Sequence, residues 1–295
     1  MRKILFLLLF FMVAVQNNYS QTKDDSSYQF IFLPKGIDFM PLKAGADEPR
    51  MGLLYYSATS NLKLDIGNAL DVFAFKFNSA KSRITVGAEF MAYAFVTSYL
   101  KYRLQIDALD GFFGGYINYS RHFNWGRFVT RFRYIHSSSH LVDGHWDNLN
   151  QVWINNQEPI AYGNNYAELL LANEQNLSRT LLRYYGGGSI STGMQTKSKR
   201  LKRLIYRAGL EYSIPNLFGK IFNRDENLFI AADLKIKGIP EYIVNQNYMF
   251  GIKFGNWNNK GVVIYASYYN GGDVFNQYFT NRVSRFGIGF MFDFI

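Results

Sequence analysis

The chain has 295 residues, an aromatic share of 18% (Tyr 22, Phe 27), no cysteine and a formal net charge of +10. Without cysteine, a disulfide framework and a thiolate metal site are both excluded. The basic residues are spread along the chain rather than gathered into a tail or patch, which argues against nucleic acid as a partner.

The N-terminus reads Met1-Arg2-Lys3 and then runs apolar from Ile4 to Val15. A basic head followed by a short apolar run marks an export signal, and the run falls short of the ~20 residues that a spanning helix needs. Residues 1–20 are read as a leader cut after Ser20, with no cysteine at the cut to carry a lipid. Residues 21–50 contain Pro34, Pro41 and Pro49 and read as a periplasmic N-terminal segment lying under or inside the domain that follows.

From residue 51 to residue 295 the dominant signal is period two. Phe286, Ile288, Phe290, Phe292 and Phe294 alternate with Gly287, Gly289, Met291 and Asp293, and Phe128, Phe132 and Tyr134 alternate with Arg127, Arg131 and Arg133. Ile84, Val86, Ala88 and Phe90 oppose Arg83, Thr85 and Glu89, while Leu228, Ile230, Ala232 and Leu234 oppose Asp233 and Lys235. Successive strand side chains point to opposite faces, so one face is apolar and the other is charged. A soluble sandwich would bury its apolar face; an exported chain this rich in aromatics places it against lipid. The pattern predicts an all-β, transmembrane antiparallel β-barrel of about 12 strands of roughly 9–11 residues or more. The expected spans are 51–59, 62–77, 83–96, 111–123, 126–140, 165–173, 180–189, 201–214, 227–237, 247–255, 261–269 and 285–295. Connections alternate short and long as such barrels require, with long external segments at Leu141–Asn164, Ser191–Arg200 and Asn270–Ser284. Pro215–Glu226 is a longish inner turn with room for a short amphipathic helix. The luminal Arg and Lys residues are expected to pair with Glu89, Glu211 and Asp233, or to line a narrow anion path.

Three of the four histidines fall in Tyr134–Trp146, which reads YIHSSSHLVDGHW. Residues 136, 138 and 140 share one strand face, and parity places that face outside, above Phe132 and Tyr134 at the external rim. A serine beside an imidazole and an orienting acid is the pattern of a hydrolytic nucleophile. The candidate set is Ser138 as nucleophile, His136 as base, His140 as alternative base and Asp143 as acid. Polar residues are also what a strand carries as it leaves the hydrocarbon, so a structural rim is the competing reading. His140, Asp143 and His145 match no standard metal spacing. Gly186-Gly187-Gly188 lacks the Lys-Ser/Thr of a phosphate loop and reads as a curved strand. No nucleotide, flavin, haem or metal cofactor is expected.

Pro41-Leu42 with Ala46-Asp47-Glu48-Pro49-Arg50, then His136-Ser137-Ser138-Ser139-His140-Leu141 with Asp143, then Arg183-Tyr184-Tyr185-Gly186-Gly187, resemble the bacterial family described as domain of unknown function 1207. The resemblance implies an outer-membrane location in a Gram-negative envelope and a barrel fold, without a chemistry. His136 and Ser138 alone are also similar to the H-x-S strand motif of lipid A deacylases, which implies an outer-leaflet lipid or lipopolysaccharide as substrate. The function expected is thus an outer-membrane barrel, inserted by the barrel-assembly machinery, that acts as a surface lipid or ester hydrolase, with a ligand-binding or structural barrel or a narrow anion channel as alternatives.

Overall fold

The computed structural model describes residues 28–99, 103–196, 202–221, 223–238 and 241–293. The leader expected at 1–20 and the terminal pair Phe294 and Ile295 lie outside the described residues. The strands in chain order are β1 (Tyr28–Phe32), β2 (Met51–Tyr56), β3 (Asn61–Phe77), β4 (Ser82–Tyr99), β5 (Arg103–Phe123), β6 (Gly126–Leu141), the short pair β7 (Trp146–Asp147) and β8 (Val152–Trp153), β9 (Tyr162–Leu177), β10 (Thr180–Thr196), β11 (Leu204–Pro215), β12 (Glu226–Gly238), β13 (Tyr242–Phe254), β14 (Gly261–Gly272) and β15 (Arg282–Asp293). β2 to β6 and β9 to β15 pair antiparallel in sequence order, and β15 returns to β2, closing a barrel of twelve strands. The only helical elements among the described residues are 3-10 turns.

The faces follow the sequence alternation. Leu70, Phe90, Phe113, Phe132, Leu169 and Phe250 stand on the outside, exposed, while Asp65, Asn118, Arg131, Arg133 and Glu211 are buried inside. A continuous outer belt of this kind is stable only against lipid, because nothing else covers it and every strand edge of the ring is already paired. At one end of the barrel the turns 78–81, 124–125 and 178–179 are short, and at the other the segments 142–161 and 273–281 are long. The described residues of the inner connection Pro215–Glu226, expected to have room for a helix, instead form turns, with an isolated Ile221–Arg224 bridge.

Three irregularities adjust the alternation. Val72 is an extra residue between Asp71 and Phe73 in the β3–β4 ladder. A bulge shifts facing by one, so the outward set changes from Ile66 and Leu70 to Phe73, Phe75 and Phe77. Asp107 and Thr192 are displaced in the same way in β5 and β10. β9 and β10 also run past the spans expected for them, so that much of the long segment expected at 191–200 is strand.

Residues 33–50 enter the lumen as a plug. β1 and β2 both lie antiparallel beside β3, β1 against Phe73–Phe77 and β2 against Asn61–Asp65, and the plug leaves the wall between them. Phe39 and Leu42 pack on Val129, Leu170 and Tyr185 of the inner wall, with the Arg131 and Arg183 guanidiniums 4.4 and 4.5 Å from the centre of the Phe39 ring. Glu48 receives both Nη atoms of Arg131 at 2.8 Å and Nη1 of Arg207 at 3.0 Å, with Arg133 at 3.4 Å. Lys235 donates to Asp47 at 2.7 Å. Arg50 folds back to donate to the carbonyls of Leu42, Lys43 and Gly45, which turns the plug on itself. Gly45 leaves room for the ion cluster: a Cβ would lie 2.2 Å from Arg207 Nη2 and 2.5 Å from Glu48 Cγ and would push them aside.

Removing one partner of a buried ion pair costs about 3–5 kcal/mol, because the other charge is left without compensation. Glu48→Ala, which strips a carboxylate from three guanidiniums, is expected to lower stability by about that amount, with Glu48→Gln intermediate; the temperature at which the compact gel form converts to the unfolded one checks it. Burial opposes the charge on Asp47 and Glu48. Lys235, Arg207 and Arg133 around Asp47, and Arg131, Arg133 and Arg207 around Glu48, outweigh it and hold both carboxyls below the usual carboxylate range. Groups lowered in the folded state stabilise it above their unfolded pKa and cease to do so as pH falls through the folded one. The same conversion temperature is therefore expected to be level above about pH 5 and to fall progressively below about pH 4.

Candidate functional site

On β6 the inward residues above the belt are Ile135, Ser137 and Ser139, all buried. His136, Ser138 and His140 therefore project from the outer wall towards the long-loop end, above Phe132 and Tyr134. The closed ladder on both sides sets their neighbours: His136 is opposite Phe113 on β5 and Asn165 on β9, and Ser138 is opposite Gly111 and Gly163.

His136 Nδ1 lies 2.6 Å from Asn165 Oδ1. An amide oxygen can only accept, so the contact is a hydrogen bond when Nδ1 carries the proton, and a neutral ring held this way presents the Nε2 lone pair. The ring also packs on Phe113, with centroids 5.0 Å apart. Asn165 is itself held. The bulged Thr192 donates its hydroxyl to the Asn165 carbonyl at 3.2 Å, and the Tyr134 hydroxyl meets Thr192 Oγ1 at 3.0 Å. The bulge in β10 thus aims a side chain at the residue that orients the imidazole, a usual place for such an irregularity.

Ser138 stands in a shallow notch. Gly163 has nothing within 4 Å of where a Cβ would be, and at Gly111 the nearest atom is Ser138 Oγ itself at 3.7 Å. Serine and histidine two residues apart on a strand are separated by about 6.6 Å at Cα. Among the described contacts Ser138 makes no hydrogen bond to His136 or His140, and His140 is exposed. Nucleophile and base are commonly further apart without substrate than in the reacting complex. Asp143 belongs to the 3-10 turn Asp143–His145, and its side chain lies outside the described residues.

His145 departs to the other side of the wall. Its Nδ1 is 2.6 Å from Asp107 Oδ1, the Tyr278 hydroxyl donates to Asp107 Oδ2, and the three are buried together in the mouth, tying the segment 142–161 to the segment 273–281. His140 outside and His145 inside cannot share an ion. Glu168 also points inward, with the Arg133 Nε at 2.6 Å. The glycine run 186–188 sits inside β10, where a Cβ on Gly187 would meet the Leu169 carbonyl at 2.0 Å.

The residues grouped on this stretch of the outer wall are therefore Ser138, His136 and Asn165, with Thr192 and Tyr134 behind. Asn165, Thr192 and the two flanking glycines were not singled out from the sequence. The signal was weak: Asn165 reads as the first residue of a strand after a long loop, and only the register across 142–161 puts it beside His136.

A closed twelve-stranded ring with an apolar outer belt, a charged interior and a polar row at one rim defines an integral β-barrel of the outer-membrane class. The profile of the family described as "Protein of unknown function (DUF1207)" matches residues 104–294, and the chain belongs to that family. No curated protein matches it. Among solved structures, the β domain of the Bordetella autotransporter BrkA is 12% identical, with a TM-score of 0.41 over 83% of this chain and 97% of that one. The translocator domain of the autotransporter NalP from Neisseria meningitidis is also 12% identical, with a TM-score of 0.35 over 99% and 96%. OmpT of Vibrio cholerae is 8% identical, with a TM-score of 0.37 over 92% and 99%.

Nitrogen-15 spectra of histidine-labelled barrel in detergent are expected to show two imidazoles with the proton held on Nδ1, those of His136 and His145. Asn165→Ala should release His136 alone to a mixture of tautomers, and Ser138→Ala should leave both unchanged.

Proposed function

We propose that this barrel is a serine-dependent hydrolase of an ester in an outer-leaflet lipid or lipopolysaccharide. The observation that supports the reading best is the His136–Asn165 hydrogen bond at 2.6 Å on the lipid-facing wall, with Ser138 open on the same face. Ser138 is the nucleophile, His136 the base and Asn165 the orienting residue, a role an amide fills in cysteine proteases of the Cys-His-Asn type. His140 is the alternative base, and Asp143 stays the acid expected from the sequence, while Asn165 is the group on the ring. The likeness of His136 and Ser138 to the H-x-S motif of lipid A deacylases points to the same substrate class.

The chemistry follows from the groups. Nε2 takes the Ser138 proton as Oγ bonds to the ester carbonyl carbon. The tetrahedral intermediate expels the alcohol, which leaves with that proton from Nε2. Water, deprotonated by the same nitrogen, then attacks the acyl-serine, and Oγ departs as it regains a proton. A site above an apolar belt reaches an ester near the membrane surface while the acyl chain stays on the wall beside Phe113 and Phe132, both exposed. The long-loop end faces outward, since such barrels keep their short turns in the periplasm. A cleaved leader and insertion by the barrel-assembly machinery belong to the same proposal.

A fluorophosphonate probe is expected to label purified wild-type barrel once, on the peptide containing Ser138. Ser138→Ala should abolish the label and lower hydrolysis of a lipid ester by about 10³-fold or more, with Asn165→Ala costing less than His136→Ala. Absence of label together with unchanged outer-membrane lipid profiles on Ser138→Ala replacement would remove the hydrolase and leave a ligand-binding or structural barrel.

A further inference from the structure

The inner wall pairs its cations with acids almost throughout. Arg131 meets Glu48, Arg207 meets Asp233, Lys43 and Lys253 share Asp293, and Arg285 takes Asp273. The short-turn end breaks the rule. Lys76 on β3 and Arg83 on β4 are direct partners in the ladder and both face inward. Such partners have Cβ atoms about 4.5–5.5 Å apart, and like charges there repel. Lys81, in the turn joining the two strands, adds a third cation to the same wall.

These three line a bowl of about 750 Å³ beneath the plug, within the range of small-molecule sites. Among the described residues neither lysine has an ion pair. Arg83 approaches Asp38 and Asp71 no closer than 3.8 Å, and its Nε and Nη2 are buried without a hydrogen-bond partner. The acids nearby are engaged elsewhere. Asp38 and Glu174 take Arg127 at 2.6 and 2.9 Å, although Asp38 Oδ2 makes no hydrogen bond, and Asp71 accepts from Tyr116 and the Asp38 amide at 2.9 Å. Lys237, at the other end, is a further cation without an ion pair among the described residues, but the cation beside it, Lys235, is held by Asp47, and Lys237 lies near the Tyr162 ring, 5.9 Å from its centre.

We propose that the bowl at the short-turn end binds a phosphate-bearing anion through Arg83, Lys76 and Lys81. The Arg83 guanidinium, whose Nε and Nη2 have no hydrogen-bond partner, suits a phosphate edge, and two ammonium groups supply the remaining charge. The ligand would offset the Lys76–Arg83 repulsion that the wall leaves in place. This site is distinct from Ser138, which lies on the outer face near the opposite end.

Titration calorimetry of wild-type barrel in octyl glucoside with pyrophosphate, and separately with inorganic phosphate, tests it. Pyrophosphate should bind, and Arg83→Ala, Lys76→Met and Lys81→Ala should each weaken binding about 10- to 100-fold. Lys76→Met carries its own check of folding: relief of the like-charge contact should raise the unfolding temperature of the anion-free protein while affinity drops. Repeating the titration in nanodiscs of phosphatidylcholine, with and without phosphatidylglycerol, separates sources. Competition by the anionic lipid identifies a headgroup phosphate, and its absence a soluble one. No heat with either probe, or variants that bind like wild type, would overturn the proposal.

Discussion

The structure turns on how a closed ring of twelve strands accommodates guanidinium groups in an interior cut off from water. Arg131, Arg133 and Arg207 converge from β6 and β11, and their charges cannot be left bare at that depth. Wall acids supply part of the answer through Glu89, Glu168 and Asp233. The centre is supplied by Glu48, a residue of no barrel strand, reached by three arginines at once. The plug is held less by its own structure than by the charge of the wall around it. Its main-chain groups are drawn into the same scheme, as when Arg183 donates to the Met40 carbonyl and Asn247 to that of Ala44.

That interior leaves the outer wall free for other work. With Arg127, Arg131, Arg133, Arg183 and Arg207 turned inward, the outward half of the strands is largely apolar through the belt, and on β6, β9 and β10 it turns polar where they rise above it. His136, Asn165 and Thr192 come from three adjacent strands, so the constellation rests on ladder geometry rather than on loops, and rigid elements hold side chains in place better than loops do.

The barrel itself was legible because each strand carries its own record of facing: Phe286 to Phe292, or Phe128 to Tyr134, needs no knowledge of its neighbours. The pairing of charges was not. Glu48 lies 83 positions from Arg131 and 159 from Arg207, and local pattern carries nothing about contacts at that range. The bulges at Val72 and Thr192 were hidden because one extra residue looks like ordinary sequence. Strand ends in β9 and β10 were short for a related reason: above the belt both faces are polar, as at Asn164, Asn165, Ser189 and Thr192, and contrast between faces vanishes. His136 and Ser138 were found from one strand, whereas Asn165 needed the register between two.

β1 and β2 stand in the same column beside β3, one below the other, with residues 33–50 departing inward between them. That segment is therefore anchored in the sheet at both of its ends, like a loop of thread drawn through a seam and stitched down on either side. It cannot be withdrawn from either opening unless one of the stitches is undone. Whichever of these pairings forms last, β1 on β3 or β2 between β3 and β15, is the one that fixes the segment inside the ring.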